Sequence, residues 1–113
     1  MRQEYFKILA RMLTEKLSPK LVLDVGCANG LLVKEFRKIG VLCFGVDLYP
    51  SGEGTVRGDA RYLPFKNNVF DLVTAIEVLE HIKETQLVIS EIYRVLKPKG
   101  FVFMTTPTQV RNI

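Results

Sequence analysis

Apolar positions recur along the chain in two registers, one helical and one extended, and their alternation predicts the order of elements. Over residues 3–17, Tyr5, Ile8, Leu9, Met12, Leu13 and Leu17 form one helical stripe with Arg11 and Lys16 off it, and Ser18-Pro19 stops the run. The stretch Leu21 to Gly26, apolar but for Asp24, predicts a buried strand. A helix follows from Leu31 to Ile39, with Gly40 where a left-handed cap usually sits, and Val41 to Val46 predicts a second strand. Pro50, Gly52 and Gly54 forbid a crossover helix in the next segment, so the third strand, around Thr55 to Arg57, is expected to be short and joined by a loop. YLPFKNN leads away as a loop to a fourth strand, Phe70 to Ile76. A helix from Ile82 to Lys97, with Val88, Ile89, Ile92, Tyr93, Val95 and Leu96 apolar, is broken by Lys97-Pro98-Lys99-Gly100. The last strand is expected at Phe101 to Thr106, ending at Pro107. Alternating strands and helices with buried strands predict one α/β domain over residues 1–113, built on a doubly wound parallel sheet of about five strands.

Composition narrows the class. At 113 residues, 48% hydrophobic and 25% charged, the chain has ordinary globular values. No apolar run approaches the roughly 20 residues that span a bilayer. Glu4 and Lys7 interrupt the N-terminal block MRQEYFKILA, which does not resemble a signal peptide, so a soluble, cytoplasmic protein is expected. Cys27 and Cys43 show no metal-ligand spacing and are expected to be reduced core residues, with no metal site. Net charge is +4, yet Asp24, Asp47, Asp59, Glu77 and Glu80 fall at or just after predicted strand ends, leaving seven acids against sixteen Lys and Arg elsewhere. An acidic pocket edge and a basic remainder are expected. The scattered cations favour a solvated surface over an RNA-binding face.

The stretch LVLDVGCANG, Leu21 to Gly30, carries the candidate chemistry: a strand runs into a glycine-rich turn that opens a helix, the geometry of a nucleotide site. A dinucleotide fingerprint needs a glycine where Ala28 stands, which weakens a pyrophosphate ligand. Asp47 closes the second strand 21 residues after Gly26, near the distance at which an acid holds a ribose. Such ligands belong at the carboxyl edge of the strands.

The order of motifs resembles the class I S-adenosylmethionine-dependent methyltransferases, particularly the group called methyltransferase type 11. VLDVGCANG (22–30), GVDLYP (45–50), GDARYLPF (58–65), FDLVTAIEVLEHI (70–82) and EIYRVLKPKGFVFMTTP (91–107) are similar to successive motifs of that family. The resemblance implies a Rossmann-like sheet in the order 3-2-1-4-5 and S-adenosyl-L-methionine as cofactor. It implies that Asp24, Gly26 and Gly30, with Cys27 and Ala28 between them, line the methionine half. By the same carry-over, Asp47 accepts from the ribose, Leu48 packs on the adenine, Asp59 accepts from its amino group beside the Ala60 amide, and Glu77 sits near the sulfonium. His81, the sole histidine, is the candidate base where the acceptor must lose a proton. The motifs of the cytosine-C5 and nucleic-acid amino methylating enzymes are absent, while RNA, protein and small-molecule acceptors stay open.

Two departures from the family matter. The helix after the second strand is missing, and so is the antiparallel hairpin that usually follows the fifth strand, which would leave FVFMTT as a bare edge. A homodimer or a partner protein is expected to cover that edge. The acceptor is expected to be read by the N-terminal helix, the Tyr62 to Asn68 loop and the tail after Pro107. The alternatives are a fragment of a longer protein, a non-catalytic cofactor-binding or scaffolding subunit, and a nicotinamide oxidoreductase, which the glycine spacing disfavours.

Overall fold

The computed structural model describes residues 2–106, so the tail after Pro107 lies outside the described residues. The elements in chain order are α1 (Arg2–Leu17), β1 (Leu21–Val25), α2 (Leu31–Lys38), β2 (Leu42–Asp47), β3 (Thr55–Arg57), β4 (Phe70–Ile76), a single 3-10 turn (Leu79–His81), α3 (Thr85–Val95) and β5 (Leu96–Thr105). The strands form one parallel sheet in the order β3-β2-β1-β4-β5, as the motif order implied.

Period-two alternation divides the strands between two cores. Val22, Cys43 and Leu72 point to the face covered by α1 and α2, where Leu9, Ala10, Leu32, Val33 and Phe36 pack. Leu23, Val25, Val46, Val73 and Ala75 point to the opposite face, against Val88, Ile92 and Val95 of α3. Each fully buried Val, Leu or Phe contributes roughly 1.5–3 kcal/mol, so both faces of the central strands hold the sheet. The Asp71 carboxylate fixes the entry to β1 by accepting from the Lys20 and Leu21 amides at 3.0 and 2.8 Å.

Three expectations are corrected. The buried stripe of α1 is Phe6, Leu9, Ala10 and Leu13, while Tyr5, Ile8 and Met12 are exposed. Ala10 is fully buried, and its small side chain lets that face rather than its neighbour lie close against the core. The helix expected from Ile82 begins instead at Thr85, because the chain passes through the 3-10 turn and an extended Ile82 first. Finally, β5 begins at Leu96 rather than Phe101. Phe70 pairs with Leu96 and Leu72 with Phe101, so the Lys97 to Gly100 break is a bulge inside the strand.

The missing crossover helix is accounted for by register. Gly45 pairs with Thr55 and Asp47 with Arg57, so the chain returns only two residues, about 7 Å, before pairing in parallel. A short loop spans that distance. It folds back on the glycine turn, where Ser51 donates to the Ala28 carbonyl at 3.2 Å. A Cβ on Gly52 would stand 2.4 Å from the Asn29 oxygen, so only glycine fits there.

Candidate active site at the carboxyl edge of the sheet

The ends of β1, β2, β3 and β4 open on a cavity of about 650 Å³, within the range of small-molecule sites. Gly26, Asp47, Leu48, Asp59, Ala60, Glu77 and His81 line it, joining seven of the residues singled out from sequence. Asp24, Cys27, Ala28 and Gly30, also singled out from sequence, are not among the residues that line it.

The turn after β1 is anchored to β2: the Gly26 and Cys27 amides both donate to the Val46 carbonyl, at 2.8 and 3.1 Å. Gly26 holds φ at 77°, and a Cβ there would meet Val78 Cγ2 at 2.6 Å, so its bare backbone faces the cavity. Cys27 turns inward against Gly45. Burial, with Asp24 adding repulsion, pushes its thiol up to about 12, which makes it an inert packing residue. Burial likewise pushes the Cys43 thiol up.

Behind the turn, Asp24 is buried and accepts from the Thr74 hydroxyl at 2.8 Å, rather than from loop amides. Desolvation raises its carboxyl to about 7, outweighing the Thr74 bond and the attraction of Arg2. Asp47 is arranged differently. One oxygen accepts from the Ala28 amide at 3.2 Å and the other from the Tyr49 amide at 3.0 Å. With about two lone pairs per oxygen, each retains an acceptor for a ligand hydroxyl. Ala28 therefore acts through its backbone, and Gly30, at φ 78°, opens α2.

On the far wall Asp59 is gripped by Arg61, whose amide, Nε and Nη2 donate to it at 2.9, 3.1 and 2.7 Å. These bonds hold its carboxyl down to about 2. Arg61 Nη1 also lies 3.2 Å from Glu84 Oε2. The loop carrying Asp59 is pinned from below by α3: Leu63 donates to Glu91, while Arg94 donates to the Leu63 and Phe65 carbonyls and to Asn67. Sequence reasoning missed Arg61 and Arg94; the Asp-Ala-Arg run and the Glu91/Arg94 helical spacing were the available signals.

Glu77 takes φ 53°, an uncommon conformation for a residue with a side chain, and its amide donates to the Thr105 carbonyl and hydroxyl of β5. Backbone strain at a cavity wall is a mark of a functional position. His81 ends the 3-10 turn; its side chain is 77% exposed, with Nε2 3.7 Å from Glu80 Oε2. Arg2, also missed, reaches the cavity from the first turn of α1 with its guanidinium 4.8 Å from the Phe6 ring centre. The expected acidic edge is thus matched by Arg2, Arg61 and Lys83 in the same lining.

A parallel 3-2-1-4-5 sheet with a glycine turn after β1, an acid closing β2 and another acid after β3 defines the class I methyltransferase form of the nucleotide-binding fold. The chain belongs to the methyltransferase domain family, whose family model matches residues 1–112. It is 32% identical over 105 residues to the ubiquinone biosynthesis O-methyltransferase of Thiobacillus denitrificans, a match covering 80% of this chain and 45% of that protein. The solved PH0226 protein from Pyrococcus horikoshii superposes with a TM-score of 0.78 at 28% identity, over 92% of this chain and 58% of that one. Phosphoethanolamine N-methyltransferase 2 of Haemonchus contortus, solved in complex with S-adenosyl-L-methionine, superposes with a TM-score of 0.73 at 25% identity, over 88% of this chain and 28% of its own. The chain spans less than half the length of the curated relatives it matches.

Proposed function

We propose that the protein binds S-adenosyl-L-methionine in this cavity and transfers its methyl group to an oxygen or nitrogen nucleophile. Asp47 carries the reading: its two oxygens are pre-oriented by the Ala28 and Tyr49 amides, and each keeps a lone pair for one ribose hydroxyl. The rest of the donor set fits the same ligand. Leu48, 54% exposed at the cavity edge, supplies an apolar face for adenine, and Asp59 with the Ala60 amide meets the edge of the base. The open backbone of Gly26 accommodates the methionine half, Arg2 suits its carboxylate, and Glu77 suits its ammonium and sulfonium charges.

When bound, the cofactor supplies an electrophilic methyl carbon on a cationic sulfur, and methyl transfer needs alignment more than a covalent enzyme intermediate. Proximity of that kind is worth about 7–11 kcal/mol. This chain's residues hold and orient; His81, exposed at the cavity wall, takes the proton from an acceptor hydroxyl. The relatives' names pair one O- with one N-methyltransferase, and both acceptor types are kept.

The test is transfer of radiolabelled methyl groups to a panel of phenols and amines. Transfer to a phenol is expected, with His81→Ala lowering kcat by about 10²–10⁴ while cofactor affinity is unchanged. Cofactor binding without transfer to any acceptor would overturn catalysis by the isolated chain. It would favour the second reading, a cofactor-binding subunit completed by a partner or a second copy. One observation supports that reading: among the described residues β5 is an edge strand, with Phe101 52% exposed.

A further inference from the structure

Resting on the cofactor reading above, we propose that Arg94 is a positioning residue: through Glu91 and the loop after β3 it holds Asp59 and Ala60 where they meet the base of the cofactor. Neither Arg94 nor Glu91 lines the cavity, so any effect on the ligand passes through that loop. The loop needs an external hold. No helix or strand runs over residues 58–69, and β3, only three residues long, leaves the segment at the edge of the sheet. Ordering such a segment costs backbone entropy, and a ligand bears that cost unless the fold has already fixed the loop.

The Arg94 guanidinium fixes it with all five of its N–H groups. Nε donates to Glu91 Oε2 at 2.7 Å, Nη2 to Glu91 Oε1 and the Leu63 carbonyl, both at 2.9 Å, and Nη1 to the Phe65 carbonyl and Asn67 Oδ1 at 2.8 and 2.9 Å. Glu91 Oε1 also accepts from the Leu63 amide at 2.7 Å, so Leu63 is held at both of its backbone groups. Leu63 is buried in the core on the α3 side, and Phe65 meets Phe70 edge-on at 5.2 Å. Next to Leu63, Tyr62 donates to the Asp59 carbonyl at 2.9 Å, which closes the Asp59–Tyr62 turn onto this fixed point. The turn's other tie toward α3, from Arg61 to Glu84, joins side chains that are 34% and 49% exposed, where solvent screening leaves an ion pair little weight. The dominant hold on the cavity wall therefore runs from α3 through Arg94 and Leu63.

The test measures dissociation constants for S-adenosylhomocysteine, together with melting temperatures, on the whole chain and on Arg94→Gln, Arg94→Lys and Asn67→Ala, with Asp71→Asn as control. Asp71 holds the entry to β1, so its variant loosens the fold away from the cavity. Arg94→Gln is expected to weaken binding by about 10-fold or more, the worth of one charge-assisted contact to the base. Lysine puts a point charge in place of a planar fork and is expected to restore little of that loss. Asn67→Ala removes one of the five bonds and is expected to lose about 2- to 5-fold. Asp71→Asn is expected to melt lower with its affinity unchanged, because the two sites share no partners. Unchanged affinity in Arg94→Gln would overturn the proposal, and so would equal weakening in Asp71→Asn, which would tie affinity to stability alone. If Arg94→Gln does not fold, Asn67→Ala decides, and an affinity equal to the parent's is the overturning result. Failure of the parent chain to bind S-adenosylhomocysteine would instead defeat the cofactor reading itself.

Discussion

Replacing Asp24 by asparagine is expected to stabilise the ligand-free protein at pH 8 and to flatten its pH dependence. A carboxyl with an ordinary value of 3.8 that titrates near 7 inside the fold is ionised there against desolvation. The folded state then binds more protons than the unfolded one between those two values. The contribution is favourable below about 4 and is lost as pH rises toward 7. At 1.36 kcal/mol per unit, the full cost is about 4 kcal/mol at pH 8, and about 2 kcal/mol of it develops between pH 5 and pH 7. Asparagine keeps an oxygen for the Thr74 hydroxyl and cannot ionise, so Asp24→Asn is expected to gain about 2–4 kcal/mol at pH 8 and much less at pH 5. Asp59, held at about 2, titrates below this window and does not mask the effect. Urea unfolding at pH 5, 6.5 and 8 reads the difference as a midpoint shift of about 1 M or more at pH 8. A variant no more stable than the parent at pH 8, with an unchanged pH slope, would refute the assignment of a buried, charge-penalised carboxyl.

Other perturbations follow from the same geometry. Gly26→Ala is expected to lose about 1–3 kcal/mol, because φ 77° disfavours a Cβ and Val78 stands 2.6 Å from it; thermal unfolding measures the loss, and an unchanged midpoint would contradict the packing. Glu77→Gly relieves a left-handed residue by about 1–2 kcal/mol and returns about half to chain entropy, so a small rise in melting temperature should accompany weaker cofactor binding. A rise without loss of affinity would remove Glu77 from the site. For the edge strand, sedimentation across micromolar concentrations is expected to show a dimer that Phe101→Lys dissociates; a monomer throughout would sink that pairing.

What the sequence disclosed were features specified by neighbouring residues. Apolar runs ending in an acid or a glycine placed β1, β2 and β4 and brought Gly26, Asp47, Asp59 and Glu77 to one edge. What it hid depended on tertiary choices. Two apolar stripes share α1, and only packing around Ala10 decided which one is buried. The start of α3 was misplaced because the chain first passes through a 3-10 turn and an extended Ile82, which no local apolar pattern marked. Arg2 lies far in sequence from the acids it faces, and nothing local marked it as a cavity residue. The bulge at Lys97 to Gly100 was visible as a helix breaker, but its place inside the β4–β5 ladder was not.

The central claim, a cofactor pocket organised by Asp47, is tested most directly by calorimetric titration with S-adenosylmethionine and with NAD, on the parent chain and on Asp47→Ala. Charge-assisted hydrogen bonds are worth about 1.5–3 kcal/mol each, so losing one or both ribose contacts should weaken binding by at least about 10-fold. The account expects micromolar S-adenosylmethionine binding that collapses in the variant, with no comparable affinity for NAD. Equal affinity in Asp47→Ala, or tighter binding of NAD than of S-adenosylmethionine, would contradict it.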